Sequence, residues 1–102
     1  MFGLSENALS IIQNELASHI EIEQASIFGS RAKGNHKPGS DIDIAIIGKN
    51  LDALLALNIN GKLNESSPLP FRFDIVNYND ISNPDLKSHI DRVGKIFYKR
   101  EK

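Results

Sequence analysis

The amino-acid sequence predicts an α/β fold in which helices and strands alternate in the order α-β-α-β-α-β-α-β. Apolar residues recur at helical spacing in some segments and in short alternating or continuous runs in others, and residues that favour turns separate these segments. The length of 102 residues and the hydrophobic share of 40% suffice for one core. We therefore expect residues 1–102 to form a single domain.

The first helix and strand lead to a tight turn. Residues 5 to about 18 place apolar side chains on one face of a helix, and Ser5 suits its N-terminal end. A strand from about residue 22 to 28 runs directly into Gly29 and Ser30. Because glycine permits sharp changes of backbone direction, we expect the chain to turn there into a short second helix.

The middle of the chain is predicted to contain a strand and a less regular helix. Residues 36–40, which include Pro38, have the composition of a loop, and an apolar strand follows from residue 41 to 47. Leucines between residues 51 and 63 favour a helix, which we expect to be interrupted or frayed at residues 58–61. Serines and prolines mark the next connection.

The last third of the chain is predicted to be strand, helix and strand. A strand runs from residue 71 to about 77. Asn83 and Pro84 are typical of the cap and first turn of a helix, and Gly94 of its end. A short final strand covers residues 95–98.

Aspartates interrupt two of the apolar strands. Side chains alternate between the two faces of a strand, so Asp41 and Asp43 project from the same side. Like charges this close are costly unless one is protonated or a cation lies between them, and carboxylate oxygens suit Mg²⁺. Asp74 interrupts the next strand, so three carboxylates converge if the strands are neighbours. Such a set can hold two Mg²⁺ ions about 3.5 to 4 Å apart, as phosphoryl displacement requires.

Gly29 and Ser30 are the candidate nucleotide-binding residues. Glycine lets the backbone approach a ligand closely, and a serine at a helix start directs N–H groups and a hydroxyl at an anion such as a triphosphate. The alternatives are structural: Gly29-Ser30 as an ordinary helix cap, Asp41 and Asp43 as solvated carboxylates, and Asp74 as an edge aspartate facing water.

Taken together, these residues resemble the signature of the polymerase-β-like nucleotidyltransferases. Gly29-Ser30, ten intervening residues and Asp41-Ile42-Asp43 match that signature. The small size, the opening helix and the later strand around Asp74 are similar to the minimal, stand-alone branch of the family. Lys33 stands where many members have arginine, which keeps the charge but loses the planar guanidinium.

The resemblance implies a mixed β-sheet with helices packed on it. It also implies transfer of AMP from ATP to a hydroxyl, with release of pyrophosphate. Asp41 and Asp43 would bind both Mg²⁺ ions, and Asp74 would bind the ion that activates the hydroxyl. Stand-alone members pair with a helical HEPN-domain ribonuclease toxin encoded beside them, act as its antitoxin and can attach AMP to its tyrosine. We expect the same function here.

The composition of the chain indicates which kinds of partner and which cellular compartment to expect. The formal net charge of −1 provides no basic excess for a nucleic-acid backbone, so nucleic acid is not the expected partner. The absence of cysteine excludes disulfides and thiolate metal sites. Apolar stretches are too short to cross a bilayer and a secretory leader pattern is missing, so we expect a cytoplasmic protein without a membrane partner.

Two other functions stay open at the level of sequence. The chain could be a non-catalytic antitoxin that masks its partner by contact, or a nucleotidyltransferase for a small molecule, although enzymes of that kind generally carry a further helical domain. Arg31 and Lys33 are interpreted as phosphate contacts or surface charges and are left out of the predicted site. The base of the nucleotide, the acceptor atom and the oligomeric state do not follow from the sequence.

Overall fold

The computed structural model describes residues 2–37 and 39–100, so Pro38 of the predicted loop lies outside the described residues. The strands β1, β2, β3 and β4 form a mixed sheet of order β3-β2-β1-β4. They comprise Gln24–Phe28, Ile42–Ile47, Phe73–Asn77 and Lys95–Lys99. The helices α1, α2, α3 and α4 comprise Glu6–Ala17, Ser30–Lys33, Ala53–Gly61 and Pro84–Val93. The predicted alternation and the mixed sheet are confirmed.

Side chains at the helix starts explain where three of the helices begin. Ser5 accepts a hydrogen bond from the Ala8 N–H at the start of α1, and Asp52 accepts one from the Leu55 N–H at the start of α3. Asn83 does the same for α4. Because the first N–H groups of a helix have no partner within it, these caps fix the starting residues.

The predicted interruption at residues 58–61 is wrong. The helix α3 is continuous to Gly61, whose φ of −60° and ψ of −46° are helical, and it widens into a π-helical turn over Lys62–Ser66. Ile59 and Leu63 are completely or almost completely buried in the core. This packing outweighs the low helix propensity of asparagine and glycine in the segment.

The two faces of the sheet have different roles. On one face α1 and α3 pack over a large cluster of buried side chains that includes Ile42, Ile44 and Ile46 of β2. On the other face a smaller cluster joins Phe28 and Ala45 to Ile90 of α4. Since side chains alternate along a strand, Asp43 shares the face that carries Ala45. None of the described helices is long and apolar enough to span a membrane.

Candidate functional site

Asp43 and Asp74 are paired across two adjacent strands. Strands β2 and β3 run parallel, and their register places Asp43 opposite Asp74. Paired residues project to the same face, and neighbouring strands are about 4.8 Å apart. The two strands are neighbours, which was the condition for the carboxylates to converge, and their pairing brings Asp43 and Asp74 to the face of the sheet away from α1 and α3.

The pKa of the Asp43 carboxyl is raised by its surroundings. Burial raises its pKa, because desolvation disfavours the ionised form, and the nearby charges of Asp74 and Asp41 raise the pKa further. Asp41 and Asp74 are exposed, whereas Asp43 is half-buried. Asp43 thus lies close enough to both Asp41 and Asp74 for their charges to affect its pKa.

Gly29 makes room for the Asp43 carboxylate. Its φ of 75° and ψ of −154° lie in a region that is essentially restricted to glycine. A Cβ atom on Gly29 would lie 2.5 Å from Oδ2 of Asp43. The start of α2 therefore sits directly against the carboxylate, and Gly29 and Asp43 belong to one site.

Ser30 is the first residue of α2 and is half-buried. The N–H groups at a helix start have no acceptor within the helix, so those that follow Gly29 can donate to an anion.

Phe28 lies on the other side of Asp43, because the register of β1 and β2 pairs these two residues. The His89 ring packs against Phe28 edge to face, with ring centroids 6.2 Å apart. Sequence reasoning had left both rings out of the site.

Arg31 is a buried residue, so its interpretation as a surface charge is wrong. Its side chain is only 3% exposed. Nε and Nη2 donate to the carbonyl oxygen of Ser40 over 3.1 and 2.9 Å, and Nη1 donates to that of Phe2 over 2.9 Å. The guanidinium also lies 5.1 Å from the centre of the Phe71 ring. Arg31 therefore fixes the backbone that immediately precedes Asp41.

The donor chemistry of the aspartates fits a hard divalent cation. Carboxylate oxygens are the ligands that Mg²⁺ prefers. The pKa of Asp43 is raised first by burial and then by repulsion from Asp74 and Asp41, and a bound cation would offset that repulsion. Within residues 2–37 and 39–100, however, no three His, Cys, Asp or Glu side chains are arranged so that they could hold a metal ion as they stand. Magnesium sites commonly combine one or two carboxylates with water and substrate phosphates, so nucleotide oxygens would complete the coordination.

The sequence matches the family model of the polymerase beta nucleotidyltransferases over residues 10–102. The chain belongs to this family. A Haemophilus influenzae protein, "Probable protein adenylyltransferase MntA", is 31% identical over 100 residues, which are 97% of this chain and 86% of that protein. The family resemblance predicted from the Gly-Ser and Asp-x-Asp residues is confirmed.

Solved structures of this nucleotidyltransferase fold include chains of toxin–antitoxin complexes. A complex with AMP-PNP gives a TM-score of 0.72 at 23% identity, covering 96% of this chain and 76% of that one. A variant of the MntA complex gives a TM-score of 0.72 at 27% identity, covering 96% of this chain and 75% of that one. The Shewanella oneidensis complex of a tri-AMPylated HEPN toxin with its MNT antitoxin gives 0.62 at 19% identity, covering 90% and 73%. The polymerase-β-like fold predicted from the sequence is confirmed.

Proposed function

We propose that this nucleotidyltransferase transfers AMP from ATP to the hydroxyl of a tyrosine in a HEPN-domain toxin. It thereby acts as the antitoxin of that protein. The observation that carries the proposal is the register of β2 and β3, which pairs Asp43 with Asp74 beside the glycine turn at Gly29. The likeness to MntA and to the chains of toxin–antitoxin complexes supports both the chemistry and the partner. The function belongs in the cytoplasm, where ATP is available.

The residues divide between the donor and the acceptor sides of the reaction. Gly29 and Ser30 would hold the triphosphate through backbone N–H groups at the start of α2. Asp41 and Asp43 would hold two Mg²⁺ ions, and Asp74 would complete the site of one of them. When bound, Mg²⁺ neutralises phosphate charge and makes a hydroxyl a better nucleophile. Asp74 is exposed on the edge strand β3, which suits approach by a large protein acceptor.

The reaction balances without a further reactant. The acceptor oxygen attacks the α-phosphorus of ATP, a bond forms between them, and the bond to the bridging oxygen of pyrophosphate breaks. The hydroxyl gives up its proton, and the products are the AMP-modified protein and pyrophosphate. Since phosphoryl transfer depends mainly on positioning and charge neutralisation, a small open site can support it.

The decisive experiment is intact-mass spectrometry of the chain and of the HEPN protein encoded beside it, after incubation with ATP and Mg²⁺. We expect additions of AMP mass on the HEPN protein that disappear with Asp43→Asn. Glu6→Gln is the matched control, because Glu6 is an exposed carboxylate in the first turn of α1, which packs on the opposite face of the sheet. Tight binding of the two proteins without any AMP transfer would contradict the proposal and favour an antitoxin that acts by contact alone.

A further inference from the structure

The outer edge of β3 is covered by side chains rather than by another strand. β3 is the last strand of the sheet on its side, and such an edge leaves alternate N–H and C=O groups without a strand partner. The Ile42 N–H donates to the Arg72 carbonyl over 2.8 Å, so the backbone groups of residues 72 and 74 face β2. Those of Phe73 and Ile75 therefore face outward.

Two asparagines bind these outward groups with both ends of their amides. The Asn60 side chain accepts from the Ile75 N–H over 3.0 Å and donates to the Ile75 carbonyl over 3.2 Å. The Asn64 side chain accepts from the Phe73 N–H over 2.7 Å and donates to the Phe73 carbonyl over 3.0 Å. Each amide thus takes the place of a peptide group in a neighbouring strand. We call Asn60 and Asn64 the asparagine pair.

The spacing of the asparagine pair matches the spacing of the strand. Four residues along a helix span roughly 6 Å, and two residues along a strand span about 6.6 Å. Asn60 lies near the end of α3 and Asn64 in the π-helical turn that follows it. π-Helical turns inside helices occur frequently at functional sites. Asn60 therefore contacts β3 from within residues 58–61, where the sequence predicted a break.

Asp74 is the residue between the two bonded positions. Its own backbone faces β2, and the residues on either side of it are held from outside by the asparagine pair. We infer that Asn60 and Asn64 are positioning residues that fix the Asp74 carboxylate opposite Asp43 for metal and nucleotide binding. This inference rests on the proposed function of the three aspartates, and it assigns the asparagine pair no contact with the substrate.

The test compares Asn60→Leu and Asn64→Leu with Asn58→Leu. Asn58 is an exposed asparagine of the same helix, so its replacement removes an amide without touching β3. The probe is Mn²⁺ together with a non-hydrolysable ATP analogue, with bound Mn²⁺ measured by electron paramagnetic resonance. Amide hydrogen exchange at Phe73 and Ile75 is measured on the same samples. These two readouts do not depend on AMP transfer.

We expect Mn²⁺ binding to weaken about ten- to a hundred-fold in both variants at the asparagine pair, as is typical when outer support of a metal ligand is lost. Exchange should accelerate at Phe73 in the Asn64 variant and at Ile75 in the Asn60 variant. Asn58→Leu should change neither measurement. Asn64 is exposed, so Asn64→Ser provides a milder variant if the leucine variants do not fold.

Faster exchange with unchanged Mn²⁺ affinity would overturn the inference, because the asparagine pair would then only cover the strand. Unchanged exchange would also overturn it. If the wild-type chain binds Mn²⁺ and loses that binding with the asparagine variants but never transfers AMP, the positioning role stands and the proposed function fails. A wild-type chain that binds no Mn²⁺ with the analogue would refute both.

Discussion

Replacement of Gly29 by alanine tests whether the turn into α2 and the Asp43 carboxylate form one unit. The new Cβ would force a non-glycine residue into the conformation with φ of 75° and ψ of −154°. It would also meet Oδ2 of Asp43 at 2.5 Å, which is closer than real contacts of this kind. The carboxylate must therefore rotate away from its present place.

The expected magnitude follows from a comparison with Gly34. Gly34 has a φ of 81° and a ψ of 9°, and a Cβ there meets nothing within 4 Å. Gly34→Ala should therefore cost about 1 kcal/mol, the usual penalty of the left-handed region. Gly29→Ala should cost about 2 to 3 kcal/mol, since its region is almost closed to other residues. In a chain of this size these costs correspond to losses of roughly 4–8 °C and 8–24 °C in Tm.

The assays are thermal unfolding and AMP transfer, measured on both variants at a temperature where both are folded. Gly29→Ala should lose transfer at least a hundred-fold, or about 2.7 kcal/mol, because a displaced carboxylate no longer meets the reacting groups. Gly34→Ala should keep transfer within about threefold of wild type, a change of roughly 0.7 kcal/mol. Equal losses of stability and activity in the two variants would refute the reasoning, because the contact with Asp43 would then have no effect.

Three further changes have expected outcomes. Asp43→Asn should raise the Tm of the metal-free chain at neutral pH. The raised pKa of Asp43 means that the folded state binds more protons, so its stability falls as pH rises from the unfolded aspartate pKa to the folded one. A pH series of Tm in EDTA should show the gain vanishing in acid, and a gain that persists there would contradict this account. Arg31→Met should cost about 2 to 4 kcal/mol in denaturant unfolding, because it leaves two backbone carbonyls unpaired, whereas exposed Lys33→Met should cost less than about 0.5 kcal/mol. Asp52→Ala should cost about 1 kcal/mol by removing the α3 cap, and no loss would mean that solvent replaces it.

Patterns that depend on neighbouring residues were readable from the sequence. The alternation of Asp41, Ile42, Asp43 and Ile44 predicted which side chains face away from the core, because the period of a strand is two. The helix cap at Ser5 and the turn at Gly29 also depend only on residues close in sequence. The first three strands begin one or two residues later than predicted, as at Ile42 and Phe73, whereas the last begins at Lys95 as predicted.

Features that depend on distant residues were not readable. The burial of Arg31 requires Phe2 and Ser40 to come to the same place, and nothing in the four-residue helix α2 indicates this. The continuity of α3 depends on the core around Ile59 and on bonds from Asn60 to β3. The propensities of the segment alone favoured a break, and tertiary packing reversed that preference.

The asparagine amides on β3 also limit how this chain can associate with others. An uncovered edge strand invites a further strand from a second molecule, which leads to mispaired dimers or fibrils. Gln13 similarly donates to the Phe97 carbonyl of β4 over 2.8 Å, so a side chain also binds the opposite edge strand of the sheet. A partner that added a strand to β3 would first have to displace four hydrogen bonds, so the asparagine pair opposes backbone pairing at this edge.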